Sequence, residues 1–218
     1  MNRINICKNI IQSIRDYITN PDNLDAYREK NHFVRKRKLS IFHVIMYLLF
    51  TSKASMYQNL FKIRTELKNL EFPDVSKQAL SKARQSIHPD LFLSLFNISV
   101  VLFYKQQPQR RTWNGYHLLA VDGSKIELPN SKSNFEFFGE MSTYPNPERH
   151  FTSGLASIIY DVLDDYIVHA SLSPYLASER TAAKEHIANL EALDIFTDNS
   201  IVIFDRGYYS EGMFRFFS

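Results

Sequence analysis

The chain has 218 residues, 44% hydrophobic and 22% charged, the balance of an ordinary globular protein in water. A single cysteine, Cys7, excludes an intramolecular disulfide and a cysteine zinc site and points to a reducing compartment. No apolar run reaches the ~18 residues of a membrane span, and the N-terminus lacks a secretory pattern, so no membrane role is expected. The net charge of +3 hides a split, because residues 1–115 carry 19 Lys+Arg against 8 Asp+Glu and residues 116–218 carry 7 against 15. A front half at +11 beside a back half at −8 suits a polyanionic partner for the front half.

The front half reads as helices. Ile6, Ile10, Ile11, Ile14 and Ile18 recur at helical spacing and predict an amphipathic helix over 4–19. Residues 39–52 are apolar enough for a buried helix. Residues 56–70 form a third candidate, with Leu60, Ile63 and Leu67 on one stripe and a break at Phe72-Pro73-Asp74. Ser76 is the expected N-cap of a short helix reaching Ile87, which would bury Ala79, Leu80, Ala83 and Ile87. Pro89 opens a helix over 90–104. The segment KQQPQRRTWNG, residues 105–115, is the expected linker, with a domain boundary between residues 112 and 113.

After the linker the periodicity changes. Residues 116–121 predict a short strand ending at Asp122-Gly123, and residues 124–128 either continue it or pair with it. Strands are expected over 151–160 and 166–172, joined by a turn at Asp164-Asp165. A helix over 177–193 would turn Ala183, Ile187 and Leu190 inward. A strand over 200–204 and a last helix from about Ser210 complete the order. The order suits an α/β domain with a mixed sheet, α+β overall once the helical front half is included.

Two acids share one setting, at the ends of HLLAVD and IVIFD. Strands apolar on both faces are normally central, and two adjacent central strands would bring Asp122 and Asp205 together. Close carboxylates repel unless a cation neutralises them, and carboxylate oxygens suit Mg²⁺. Two such ions can activate a hydroxyl and stabilise the leaving oxygen of a phosphoryl transfer. Locally, Asp122-Gly123 is equally a favoured hairpin turn, and Asp205-Arg206-Gly207 a strand exit. Glu179 suits the first turn of its helix through the helix dipole. Glu136, Glu140 and Glu148 fall in an expected loop. The histidines lack zinc-helix spacing, and Ser124 and Ser153 lack a nucleophile elbow.

In the front half the RKRK run of Arg35, Lys36, Arg37 and Lys38 favours phosphate contact. The helix after Ser76 would leave Lys77, Gln78, Ser81, Lys82 and Arg84 available to DNA, lysines for phosphates and glutamine for base edges. With the helix before it, this one could complete a helix-turn-helix.

Taken together, LLAVDGSKIELP and IVIFDRGYYS resemble the first and second acid motifs of DDE transposases of the IS-four (insertion-sequence four) type. Residues 154–187 look like that family's second and third strands and following helix, and VSKQALSKARQSI resembles its N-terminal DNA-contacting region. The resemblance implies a ribonuclease-H-like catalytic domain, incomplete in this chain. Asp122 on its first strand and Asp205 at the end of its fourth would be the catalytic metal ligands. It further implies Mg²⁺ (or Mn²⁺) in a two-metal site and double-stranded DNA at transposon ends as partner. A homodimer on DNA and a bacterial, cytoplasmic, nucleoid-associated location also follow. The family's third acid, in a Y-x2-R-x3-E-x6-K motif, has no match; Tyr27-Arg28-Glu29-Lys30 is contiguous and precedes the first acid. The expected function is that of an insertion-sequence transposase, truncated and inactive as it stands. The alternatives are a non-catalytic DNA-binding remnant or regulator competing for transposon ends, and a ribonuclease-H-like metal nuclease.

Overall fold

Serine side chains start three of the front-half helices. The computed structural model describes residues 3–34, 38–106, 110–142 and 150–217. Within it the chain divides into two compact units, Met1–Gln106 and Gln107–Ser218. The first holds α1 (Arg3–Thr19), α2 (Pro21–Leu24), α3 (Ile41–Phe50), α4 (Met56–Glu66), α5 (Lys77–Arg84) and α6 (Asp90–Gln106). Capping boxes open α3 and α4: Ser40 pairs reciprocally with His43, and Ser55 with Gln58. The Ser76 side chain accepts the Ala79 N–H at 3.2 Å and starts α5 where expected. A buried cluster including Ile18, Val44, Ile45, Ile63, Leu80 and Leu91 holds α1 and α3 to α6 together.

Two expectations for this unit are corrected. Ala79 is exposed; Leu80 is the residue α5 buries, with Ala83 half-buried. Helix α4 stops at Glu66, and a 3-10 turn over Lys68–Leu70 leads to Glu71 at φ 48° and an extended run to Ser76. That connection far exceeds the 3–4-residue turn of a helix-turn-helix, so α4 and α5 do not form one.

The second unit runs β1 (His117–Leu128), α7 (Lys132–Phe138), β2 (Met141–Ser142), β3 (His150–Asp161), β4 (Tyr166–Pro174), α8 (Glu179–Ala192), β5 (Ser200–Ile203) and α9 (Glu211–Phe217). The sheet follows the path β2-β3-β1-β5, with β4 also on β3. β3 is antiparallel to both β1 and β4, while β5 is parallel to β1. Antiparallel strands followed by a helical crossover to a parallel strand make a ribonuclease-H-like mixed sheet. Leu119 and Val121 of β1 are buried with Leu155 and Ile159 of β3. Helix α8 turns in Ala183, Ile187 and Leu190, as its spacing predicts.

Of the two readings for residues 124–128, the structure takes the continuation: β1 runs through Asp122 to Leu128, paired with β3 from Leu119↔Asp161 to Leu128↔Thr152. Among the described residues β5 pairs on one side, with β1, and Ile203 is 46% exposed. The expected linker is partly folded: Lys105 and Gln106 finish α6, while the Arg110 guanidinium donates to the Ile195 carbonyl at 2.8 Å. Among the described residues no helix is long and apolar enough to cross a membrane.

Asn59, 1% exposed, fixes the turn between α3 and α4. Its Oδ1 accepts the Ser52 N–H (3.2 Å) and hydroxyl (2.9 Å), and its Nδ2 donates to the Ser52 (3.2 Å) and Ala54 (2.9 Å) carbonyls. Truncation strands several of these groups, so Asn59→Ala is expected to cost roughly 2–4 kcal/mol in urea unfolding. Asn59→Asp, which keeps only the accepting oxygens, should also destabilise.

Candidate active site

The parallel register of β1 and β5 ends at Ala120↔Ile203. Two residues beyond each partner stand Asp122 and Asp205, on chains spaced ~4.8 Å apart in a sheet. Both acids are exposed. Asp122 Oδ1 accepts the Gly123 N–H at 2.9 Å, and Asp205 Oδ1 accepts the Gly207 N–H at 2.8 Å. Asp205 thereby caps the 3-10 turn Arg206–Tyr208. Asp122 therefore bonds to the next residue of β1 itself, so the hairpin-turn reading fails there, while Asp205 caps the turn that leaves β5.

That turn delivers Tyr208 to the interior. Tyr208 is 2% exposed, with its hydroxyl set toward the Ser157 side chain. Burial first, then the charges of Glu179, Asp122 and Asp205, push the phenol up to about 12, with Ser157 acting in the opposite sense. Glu179 reaches this point from the first position of α8, whose N-cap Ser178 accepts the Thr181 N–H. A Cβ placed on Gly123 would lie 3.2 Å from Glu179 Cγ and 3.4 Å from its Oε1. Arg180 donates to the Gly207 carbonyl at 2.9 Å, tying the start of α8 to the Asp205 loop. The helix-dipole role read from the sequence thus leaves out where Glu179 stands: beside the first acid.

Among the described residues, Asp122, Glu179 and Asp205 have no ion-pair partner. No three His, Cys, Asp or Glu side chains among them converge closely enough to hold a metal as they stand. The donor set is nonetheless the right one for a hard cation, which typically takes one or two protein carboxylates and keeps several waters. The other acids are engaged elsewhere: Glu136 pairs with Lys132 at 3.7 Å and Glu140 with His150 at 2.8 Å. Glu148 lies outside the described residues.

Beside β5 lies a groove of about 790 Å³ lined by Phe204, Asp205, Arg206, Tyr209 and Phe214. Of the tyrosine pair after the second acid, Tyr208 packs inward and Tyr209 is 76% exposed. In the first unit Lys77, Gln78, Lys82 and Arg84 are exposed on α5, Ser81 is half-buried, and Lys38 is exposed. Arg35, Lys36 and Arg37 lie outside the described residues.

The sheet order and the α8 crossover define the class of the second unit, a ribonuclease-H-like domain. Residues 113–218 match the family described as transposase DDE domain. It is similar to "Putative transposase InsZ" of Escherichia coli (strain K12), 23% identical over 139 residues. That alignment covers 64% of this chain and 44% of the relative, so the chain spans less than half of the relative's length.

A buried histidine chain lies under the site. His186 on α8 is 0% exposed; its Nε2 is 2.9 Å from Ser157 Oγ and its Nδ1 is 2.6 Å from His169 Nδ1. Ser157 is paired across the sheet with Gly123. One shared proton fits between the two rings; a second would set two N–H donors head to head. Burial, and then the charge of His169, lowers His186 to about 4. Burial also lowers His169, against the nearby Glu185. The unfolded chain therefore takes up protons that the folded chain refuses between about pH 6.5 and pH 4. Stability is expected to be full above pH 6.5 and to fall by up to about 3 kcal/mol through that window. Thermal melts across pH should show this slope, flattened in His186→Gln.

Proposed function

We propose that this chain is part of an IS-four-type DNA transposase, with residues 1–112 binding DNA and residues 113–218 carrying the first part of the catalytic domain. What carries the reading is the β1–β5 register, which brings Asp122 level with Asp205 in a transposase DDE domain. On this reading Asp122 and Asp205 are the catalytic acids and would hold Mg²⁺ or Mn²⁺ in a two-metal site. A bound divalent metal supplies Lewis-acid stabilisation and an activated nucleophile for phosphodiester attack. Here the chain's own residues set the geometry: the Gly123 and Gly207 N–H groups fix one oxygen of each acid, leaving the other for the cation. The exposed groove beside Asp205 offers the Tyr209 ring to a DNA strand, since bases stack on aromatic faces without sequence preference.

The partner on this reading is double-stranded DNA at transposon ends, bound as a homodimer by a nucleoid-associated bacterial protein. Support comes from the +11 front half and the exposed cations of α5. A non-catalytic regulator competing for transposon ends would use the same surface, and the charge split favours it as the second reading.

Fluorescence anisotropy with duplex DNA tests the binding surface. Affinity should fall steeply with salt, and a Lys77→Ala, Lys82→Ala, Arg84→Ala triple variant should lower the salt slope by up to about three. Salt-insensitive binding overturns the assignment.

Catalysis is tested by nicking assays with Mg²⁺ or Mn²⁺. Asp122→Asn and Asp205→Asn should each cut cleavage by at least about 100-fold while leaving duplex binding unchanged. Cleavage unaffected by either change removes the two-acid site.

A further inference from the structure

Three large apolar side chains of the first unit face solvent in one region. Ile11 of α1 is 66% exposed, Leu49 of α3 is 52% exposed and Phe61 of α4 is 62% exposed. Taken singly such residues carry no message, since much of any protein surface is apolar. Here they gather about a groove of about 600 Å³ between α1, α3 and the end of α4. Ile11 and Leu49 line it, and the half-buried Ile14, Met46 and Leu67 close it from below, packed on the buried cluster of the unit. Phe61 stands one helical turn before Thr65, which also lines the groove, and so extends the same surface along α4. A contiguous apolar surface around a groove marks an interaction site.

The charges on the groove select the partner. Arg15 on α1, and Glu66 and Lys68 where α4 ends, line it and are exposed. Arg15 and Glu66 have opposite signs and share the groove, yet neither pairs with the other or with any other described residue. A partner carrying one sign throughout would set a like charge against Arg15 or against Glu66, which is costly at an interface. A nucleic acid fits poorly for that reason, and the cations of α5 are not part of this lining. A second copy of the same surface fits both charges. In a two-fold contact residue i of one copy meets residue j of the other, and j meets i. Arg15 of each copy then faces Glu66 of the other, while Ile11 and Leu49 of each enter the opposite groove.

We propose that this groove is the face through which two copies of the chain pair as a two-fold dimer. Apolar contact supplies the affinity, and the two Arg15–Glu66 pairs fix the register, because exposed ion pairs contribute little binding energy by themselves. The inference deepens the reading above by giving its homodimer a surface, and it needs neither DNA nor the two acids.

Sedimentation equilibrium of the full chain without DNA tests it, over a concentration series that resolves monomer from dimer. Changing Ile11→Gln and Leu49→Gln together should weaken the dimer at least about 30-fold, the loss expected of residues central to an interface. Both side chains are exposed, so the melting temperature of the monomer should not move. Leu93→Gln, at an exposed position on α6 outside the lining, should leave dimerisation unchanged. Arg15→Glu and Glu66→Arg should each weaken the dimer about 10-fold, and the two changes combined in one chain should restore it. A residue that merely supports its own helix would not show that rescue.

A chain that stays monomeric throughout the series overturns the proposal and removes the homodimer, while the α5 surface and the two-acid site stand on their own assays. A dimer untouched by the Ile11→Gln, Leu49→Gln change uses another face and overturns the proposal equally. Failure of the double charge exchange to restore pairing overturns the two-fold register.

Discussion

The parallel pairing of β1 with β5 sets Asp122 and Asp205 at matching positions, each two residues beyond the last paired residue of its strand. The pairing is a consequence of the crossover. After β4 the chain must climb over the sheet through α8 and return beside β1, and a right-handed return lays β5 parallel to it. Once the register is set at Ala120↔Ile203, the two acids have no freedom to separate except by their side-chain torsions. Each spends one oxygen on a nearby glycine N–H, Gly123 within β1 and Gly207 in the turn after β5, which steadies the carboxylate without neutralising it. The surrounding structure follows from this pair. The turn after Asp205 drops Tyr208 into the interior, and Arg180 ties the start of α8 to that turn.

Much of the sheet was legible because its strands are apolar runs bounded by turn residues. The β3–β4 hairpin falls where Asp164-Asp165 predicts it, with Asp165 at φ 56° closing the turn. The two acid-ended runs were legible for the same reason. Whether β5 pairs on one side or on both was not, since an apolar four-residue strand looks alike at the centre and at the edge. What covers an edge depends on the rest of the fold, and local pattern carries no such information. The capping boxes were readable but passed over. Ser55-x-x-Gln58 is a plain S-x-x-Q signature, while Ser40-x-x-His43 uses an imidazole where the rule expects an amide or acid.

The front half shows the limit of stripe reasoning in a short helix. With eight residues in α5, Leu80 alone is fully buried, so an alanine one position away can face solvent without loss. That leaves α5 held by one large side chain and its Ser76 cap, with its cations free to face a partner. The neighbouring turn is fixed differently, by a buried amide rather than by apolar contact. Asn59 satisfies the backbone of Ser52 and Ala54, groups that two helix ends would otherwise leave unpaired.

Gly123 shows how a single residue type can be read correctly as special and still be assigned the wrong reason. After an aspartate, a glycine is the signature of a tight hairpin turn, because it tolerates positive φ. Here it lies inside β1, in register with Ser157, and its φ is not positive. What the position requires is the absence of a side chain. A Cβ would stand 3.2 Å from Glu179 Cγ, so any larger residue pushes the first turn of α8, or the glutamate itself, away from Asp122. The glycine therefore does for the helix what the β1–β5 register does for the second acid. It lets the first turn of α8 bring Glu179 against β1 beside Asp122.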